Sequence, residues 1–322
     1  MSNSIAYASV FQTALDAMVV QDAVTGWMEA NAGQVIYNGG KDIKIPKMAL
    51  AGLGNYSRSS GYPAGDVTLS YETRTMTQDR GRQLMIDAMD VNEANFVPTA
   101  SLISSEFQRV SVVPEIDAYR LSALATAAIT KDQSCEFGYT PASGTIVAKL
   151  EAAIAFTKKA GFRNVPLVIH ATTDVVTALE TAAGDKLRDT TFAQGGMDLR
   201  VPSFNGIPII ETDDDRMVSA IQIKTDGWQK GASALDINFM VIPRSVPIAV
   251  SKQDKVKIFS PEQNQGADAW LIDYRRYHDC WVMDNKVAGI ACNFKDSKPA
   301  GASGASGASG ASGASGASAG QE

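Results

Sequence analysis

The side chains that could perform chemistry are few and scattered. The chain has two histidines, His170 and His278, and a hydrolytic triad or metal centre built on either needs a nucleophile, a carboxylate or a second ligand at matching spacing. Neither has such a neighbour in the sequence, and His170 closes a short apolar run that reads as a buried strand. The run Tyr274-Arg275-Arg276-Tyr277-His278-Asp279 gathers acid, base and aromatic groups. Strand alternation sends Arg276 and His278 to the face opposite Arg275, Tyr277 and Asp279, so a solvated or interface strand is expected there. Asp213-Asp214-Asp215 offers clustered carboxylate oxygens of the kind that suit calcium or magnesium; three consecutive acids also make an ordinary solvated turn, which is the preferred reading. The glycines at 52, 54, 195 and 196 lack the Lys-Ser/Thr of a phosphate-cradling loop and the spacing of a dinucleotide fingerprint. Ser143-Gly144 lacks the strand-to-helix elbow of a hydrolase nucleophile. Cys135, Cys280 and Cys292 form no CxxC or metal pattern and read as packed thiols of a protein kept in a reducing compartment. No catalytic residue, cofactor site or metal site is predicted.

The elements around these residues carry more information. Of 322 residues, 45% are hydrophobic and 20% charged, a globular composition with enough apolar material for one large or two modest domains. The net charge of −6 supplies no basic field for wrapping nucleic acid, and no arginine–aromatic interleaving suggests a stacking platform. No run reaches the roughly eighteen apolar residues of a membrane span, and the N-terminus has no basic region followed by an apolar stretch. A soluble protein without a membrane partner is expected.

Residues 34–82 read as two strand patterns around a glycine- and serine-rich tip at 49–65. In Lys41-Asp42-Ile43-Lys44-Ile45, Ile43 and Ile45 share one face and Asp42 and Lys44 the other, the period of a strand. From Asp66 to Met76, Val67, Leu69, Tyr71, Thr73 and Thr75 alternate with Thr68, Ser70, Glu72 and Arg74, a strand that would reach roughly 36 Å. A ribbon that long is marginally stable alone, so a projecting arm resting on a neighbour is expected. Charge fits such a contact. Residues 1–33 hold Asp16, Asp22 and Glu29 with no lysine or arginine, whereas 34–82 hold seven bases (Lys41, Lys44, Lys47, Arg58, Arg74, Arg80, Arg82) and four acids (Asp42, Asp66, Glu72, Asp79). Exposed ion pairs are worth only about 0–1 kcal/mol each, so they would set orientation more than affinity.

Phe11, Leu15, Met18 and Val19 make an apolar stripe on a short helix ending near Gly26, either core or a loosely attached N-terminal arm. Residues Thr99 to Ile129 form a helix with Leu102, Ile103, Phe107, Val110, Ile116, Tyr119, Leu121 and Leu124 broadly on one side, kinked or broken at Pro114. Residues 144–235 alternate: helix Ile146–Ala160 capped by Gly161, strand Val165–His170, helix Thr173–Ala183, an irregular Gly195-Gly196 stretch and strand Ile207–Glu211. Strands then return at Phe239–Ile242, Ile248–Val250, Val256–Phe259, Trp270–Val282 and Val287–Cys292. Residues 301–318 are six Gly-Ala-Ser copies, without the proline of a collagen helix; the tail at 299–322 is expected to be a flexible tether reaching roughly 25 Å.

This order, together with Phe11-Gln-Thr-Ala-Leu-Asp, Thr25-Gly26-Trp27-Met28, the run from Gly40 to Met48, Thr75-Met76-Thr77-Gln78-Asp79-Arg80 and Val113-Pro114-Glu115-Ile116-Asp117-Ala118-Tyr119, resembles the major capsid proteins of tailed bacteriophages with the Hong Kong 97-type fold. The resemblance implies an α+β chain over about residues 1–295. It implies an N-terminal arm at 1–33, an extended loop (E-loop) hairpin at 34–90, a peripheral domain with a spine helix at 91–143 and 236–298, and an inserted α/β axial domain at 144–235. It implies an icosahedral shell of pentamers and hexamers around double-stranded DNA contacted non-specifically, assembled in the host bacterial cytoplasm into the virion capsid with a separate scaffolding protein and a portal. The inter-subunit contacts expected on this basis are Phe11, Leu15, Trp27, Lys41, Lys44, Lys47, Arg58, Arg74 and Arg80. Some relatives join subunits by a lysine–asparagine bond; Lys41, Lys44 and Lys47 lie in the matching region, with no partner identified. The alternatives are an encapsulin-like compartment with protein cargo and, further off, an α/β hydrolase. Because arm and loop look too exposed to be stable alone, loss of residues 1–30 or 49–65 is expected to leave a folded subunit that fails to assemble.

Overall fold

The computed structural model describes residues 23–34, 36–37, 42–59, 61–87, 96–131, 134–194 and 197–298. Phe11, Leu15, Lys41 and the Gly-Ala-Ser tail lie outside the described residues. Among those described, no helix is long and apolar enough to cross a membrane.

The chain enters through a 3-10 helix, Gly26–Gln34, so Gly26 begins a helical turn where the sequence pattern placed an end. A short strand β1 (Ile36–Tyr37) follows, then β2 (Asp42–Leu50) and β3 (Val67–Thr75), which pair antiparallel from Asp42↔Thr75 to Leu50↔Val67. The expected period-two pattern is present at the root: Ile43 and Ile45 are buried against Met76, Ile248, Val250 and Tyr277, while Asp42 and Lys44 face solvent. Met76 and Thr77 carry the chain into β4 (Gln78–Asp87).

A helical stretch runs from Phe96 to Thr130: α1 (Phe96–Phe107), a π-helical turn (Gln108–Val112) and α2 (Val113–Thr130). The expected break is here, one turn ahead of Pro114. Proline has no N–H and crowds the preceding turn; the widened turn, in which Val113 N–H bonds to Gln108 O, absorbs the mismatch while the dihedrals of Val112 and Val113 stay helical. The expected apolar face is only partly buried. Leu121 and Leu124 are in the core, but Leu102 is 69% and Val110 is 56% exposed.

Next come β5 (Cys135–Glu136), α3 (Ile146–Thr157), β6 (Leu167–Ala171), α4 (Thr173–Ala183), β7 (Leu187–Gln194), β8 (Met197–Phe204) and β9 (Ile207–Glu211). Gly161 at φ 104° ends the turn beyond α3, a conformation that glycine adopts without a Cβ clash. β7 pairs antiparallel with β8 from Leu187↔Phe204 to Gln194↔Met197; Gly195-Gly196, where an irregular stretch was expected, lie outside the described residues. A small hairpin, β10 (Ile221–Lys224) and β11 (Gly227–Lys230), precedes β12 (Ile237–Pro243), β13 (Pro247–Phe259), β14 (Ala269–Val282) and β15 (Ala291–Phe294). The two strands expected at 248–250 and 256–259 are one, β13, with an irregularity between Ser251 and Gln253.

Two larger sheets organise the body. A seven-stranded mixed sheet has the order β5-β15-β12-β6-β9-β8-β7, and a three-stranded antiparallel sheet has the order β13-β14-β4. The larger sheet draws on both 144–235 and 236–298, because β12 pairs with β6 on one edge and with β15 on the other. Its strand β12 is buried at every position, as expected of a sheet covered on both faces. One core cluster joins α2 to this sheet through Leu121, Leu124, Met240 and Phe294; a second joins α3 and α4 to it through Leu150, Leu179, Ile169 and Phe239.

The N-terminal segment is fixed by a buried polar network. Asp117 on α2 accepts hydrogen bonds from Val24 N and Thr25 N, each at 3.1 Å, and from the Thr25 hydroxyl, and it pairs with Arg216 at 3.2 Å. Its side chain is fully buried. One helical turn on, buried Arg120 bonds Thr25 O at 3.2 Å and pairs with Glu29. Glu29 also pairs with Arg276 of β14 at 3.0 Å, and Arg276 in turn pairs with Asp254 of β13 at 2.7 Å. Residues 23–34 are therefore part of the body, and loss of residues 1–30 would remove Trp27, Met28 and Glu29 from it. That deletion is on this ground expected to weaken folding as well as assembly.

Asp117→Ala leaves two backbone donors and Arg216 without their acceptor and should cost about 3–5 kcal/mol, whereas Asp117→Asn, which keeps an acceptor, should cost distinctly less. Urea unfolding of both variants checks this, and equal losses would contradict it.

Candidate functional site

The residues with chemical potential are engaged in the core. On β6, His170 is fully buried. Its ring stacks on Trp27 at a centroid distance of 5.9 Å, Trp27 Nε1–H donates to His170 Nε2 at 3.2 Å, and His170 Nδ1–H in turn reaches Thr212 Oγ1 at 3.2 Å. Burial drives its pKa down to about 3. His278 on β14 is buried edge-on against Tyr119, with ring centroids 5.7 Å apart, and burial followed by Arg276, Arg120 and Arg80 holds its pKa well below the usual histidine range. The strand expected to be solvated or at an interface is interior from Arg276 to Cys280, with Arg275 exposed and paired to Asp79 at 2.6 Å. Asp279 accepts bonds from Thr77 N at 2.8 Å and from the Tyr119 hydroxyl at 2.6 Å. These are structural bonds.

Asp213 precedes a short 3-10 turn formed by Asp214, Asp215 and Arg216, and Arg216 pairs with Asp213 at 2.9 Å. Asp214 and Asp215 border a cleft of about 440 Å³ with Asp174, Asp236, Lys230 and Lys295. Among the described residues, no group of three or more histidines, cysteines, aspartates or glutamates is arranged to hold a metal.

The hairpin is the distinctive surface. Beyond its root, Met48, Leu50, Val67, Leu69 and Tyr71 are 53–68% exposed, and the tip carries Leu53, Tyr56 and Tyr62, whose two tyrosine rings lie 4.9 Å apart. β3 is an edge strand, since the sheet order is β1-β2-β3. An unpaired edge rich in exposed apolar side chains is a template for contact with another chain. At about 3.3 Å per residue, nine-residue β2 and β3 carry the tip roughly 30 Å from the root.

The residues expected at subunit contacts divide. Lys44 is exposed on β2 and Arg58 is exposed at the tip. Arg74 pairs with Glu72 and lies 4.0 Å from Asp284. Lys47 belongs to β2. Two of the expected residues are engaged within the chain. Trp27 is 2% exposed and packs within its own chain, so its side chain has no surface for a neighbour. Arg80 pairs with Glu115 at 2.6 Å and donates to the carbonyls of Lys224 at 3.3 Å and Gly227 at 3.2 Å, pinning the β10–β11 turn to β4. The acidic-arm and basic-arm contrast also has an internal component: burial works against the Glu29 charge, but Arg120 and Arg276 more than offset it and hold its carboxyl below the usual range. The buried network of Asp117, Arg120 and Arg276 escaped the sequence reading, and a charged residue inside an otherwise apolar helix face was the signal for the first two.

The sequence matches no family model and no curated protein. Solved structures do match in fold. A protein of Mycobacterium phage Bobi superposes with a TM-score of 0.58 at 13% identity, covering 87% of this chain and 91% of that one. The mature capsid of bacteriophage PhiM1 gives 0.52 at 10% identity, covering 80% and 83%. A virus-like particle from Pyrococcus furiosus gives 0.53 at 11% identity, covering 89% and 99%. The chain thus has a phage capsid protein fold, one also found in a virus-like particle.

The buried histidines set a pH dependence. Unfolded histidine binds a proton below about pH 6.5, whereas His170 in the folded protein does so only near 3, so the unfolded state holds more protons between these values and stability falls as pH drops through them. His170 should contribute a loss of about 2 kcal/mol between pH 7 and 5, and His278 acts in the same direction. Unfolding midpoints across that range, compared with His170→Gln, check it; an unchanged slope in the variant would contradict it.

Proposed function

We propose that this chain is the major capsid protein of a tailed bacteriophage, a non-catalytic subunit that self-assembles into an icosahedral shell around double-stranded DNA. The observation that carries the reading is the hairpin. It is rooted in the body by Ile43 and Ile45, yet from Met48 to Tyr71 it holds apolar side chains in solvent that a single copy leaves uncovered. A second copy lying under β2 and β3 would cover them.

In this reading the fold is of the Hong Kong 97 type. Residues 34–90 are the E-loop segment, rooted in its own subunit through β4 and extending the exposed part of the β2–β3 hairpin over an adjacent one, 91–143 and 236–298 the peripheral domain with its spine helix, and 144–235 the axial domain meeting its copies in pentamers and hexamers. Lys44, Arg58 and Arg74, with Phe11, Leu15, Lys41 and Lys47, are the candidate contacts. Assembly takes place in the host bacterial cytoplasm with a separate scaffolding protein and a portal, the DNA is touched without sequence preference, residues 1–33 are an N-terminal arm whose root at 23–33 is anchored in the body, and 299–322 are a tether. A second reading, a compartment around protein cargo, is supported by the match to the virus-like particle.

Electron microscopy of the purified protein, with assay of nuclease-protected nucleic acid, separates the readings. Shells with protected DNA support the capsid, shells with protein only support the compartment, and a persistent monomer overturns both.

Replacing Leu69 and Tyr71 by serine should leave subunit stability within about 0.5 kcal/mol per substitution, since neither side chain is buried, while sharply reducing the sedimenting particle fraction. Normal particle yield from the double variant would count against the hairpin as the assembly contact.

A further inference from the structure

Cys135 and Cys292 stand side by side where the long helical stretch has ended and the last strand closes the larger sheet. β5 and β15 run parallel, with Cys292 the Cα partner of Cys135. Neighbouring strands lie about 4.7–4.9 Å apart, inside the window of roughly 4.4–6.8 Å that a disulfide requires between Cα atoms. Both side chains pack in the same apolar cluster, and the two thiols are hydrogen-bonded to each other. Cys292 is buried, whereas Cys135 is partly open to solvent. Cys280 is on β14 in the other sheet.

We propose that Cys135 and Cys292 form a redox switch, a dithiol in a reducing compartment and a disulfide once the protein meets a disulfide oxidant such as oxidised glutathione. Cys135, the accessible sulfur, attacks as thiolate on one sulfur of the oxidant; a mixed disulfide forms and one glutathione thiolate leaves, taking up the proton that Cys135 released to solvent. Cys292 then gives its proton to solvent and attacks the Cys135 sulfur, expelling the second glutathione. Two protein thiols become one disulfide and the oxidant becomes two thiols. The division of labour follows from the site: its hydrogen bond to Cys135 and then burial hold the Cys292 thiol well above the usual range, so it acts second, where a mixed disulfide already lies beside it.

The bond would tie the segment after α2 to the C-terminal strand across more than a hundred and fifty intervening residues, a long closed loop of the kind that restricts the unfolded chain most. The inference goes beyond the shell reading and does not require it. A particle assembled in a reducing cytoplasm and released from the cell would encounter the change of conditions once, on release.

The test equilibrates the full chain in glutathione buffers from fully reduced to fully oxidised, quenches with acid, and maps peptides without reduction. Excess reduced glutathione should leave both thiols; excess oxidised glutathione should give a Cys135–Cys292 linked peptide, the loss of two thiols per chain, and a higher thermal midpoint that dithiothreitol reverses. Cys280→Ser should behave as the parent, and Cys135→Ser should lose no thiol pair. The proposal is overturned by a glutathione adduct that persists on Cys135, by a bond to Cys280, by no reaction, or by a disulfide that survives the fully reduced buffer. The wild-type peptide map decides the matter even where a variant fails to fold.

Discussion

A carboxylate sealed from water must be compensated by its surroundings, and Asp117 places that demand at the centre of this molecule. Burial pushes its carboxyl upward, against the hydrogen bonds from Thr25 and Val24 and the charges of Arg120 and Arg216. Every compensating group comes from another part of the chain or the next turn of the helix. The segment at residues 23–34 has to lie along α2 to supply the backbone donors, and Arg216 has to arrive from beyond β9. The neighbouring Arg120 makes a parallel demand that Glu29 meets, and Glu29 passes the constraint to Arg276 and so to β13 and β14. Helix, entry segment and the three-stranded sheet are thereby fixed relative to one another by buried charge, and Arg216 ties in the turn beyond β9.

Against that fixed body the hairpin behaves oppositely. Its first turn of sequence obeys the inside–outside rule and is anchored, while its distal residues have apolar side chains on exposed strand surface with no companion sheet. The contrast lies in one continuous pair of strands, so local propensity does not explain it. What changes between Ile45 and Met48 is whether another element of the same chain is there to pack on. The chemistry of the body is equally informative: both histidines are used as neutral packing groups with specific hydrogen-bond or ring partners, and the acids near them are occupied by backbone donors and arginines.

Short-range pattern made much of this legible. Thr173–Ala183 and Ile207–Glu211 were readable because period and boundaries agree, Gly161 because a positive φ selects glycine, and Ile43 and Ile45 because strand alternation is local. The misses share a different cause. In β7 the polar run Arg188-Asp189-Thr190-Thr191 hides the strand, and the alternation Met197-Asp198-Leu199-Arg200-Val201 of β8 has no readable partner beside it; β13 looked like two strands because an irregularity near Lys252 resets the alternation. Leu102 and Val110 were expected inside since a helical stripe says nothing about whether a partner exists. Arg80, Trp27 and the Asp117 network are settled by contacts between residues 35 to 250 positions apart, which no window of sequence contains. For the candidate site, the hairpin was visible from the start, while which of its charges are already satisfied within the chain was not.

The strand order of the larger sheet has a further consequence, in time. Among the described residues β5 pairs only with β15, and β15 is also the outer neighbour of β12. A ribosome making this chain has finished residue 136 long before residues 291–294 exist, so that edge of the sheet stays open until synthesis is nearly complete. Contacts of such sequence separation are slow to form because loop closure precedes any gain from pairing. The hairpin, by contrast, is local and can pair early. A nascent chain therefore has its exposed hairpin before it possesses a finished body, and β15 is the closing piece of the larger sheet.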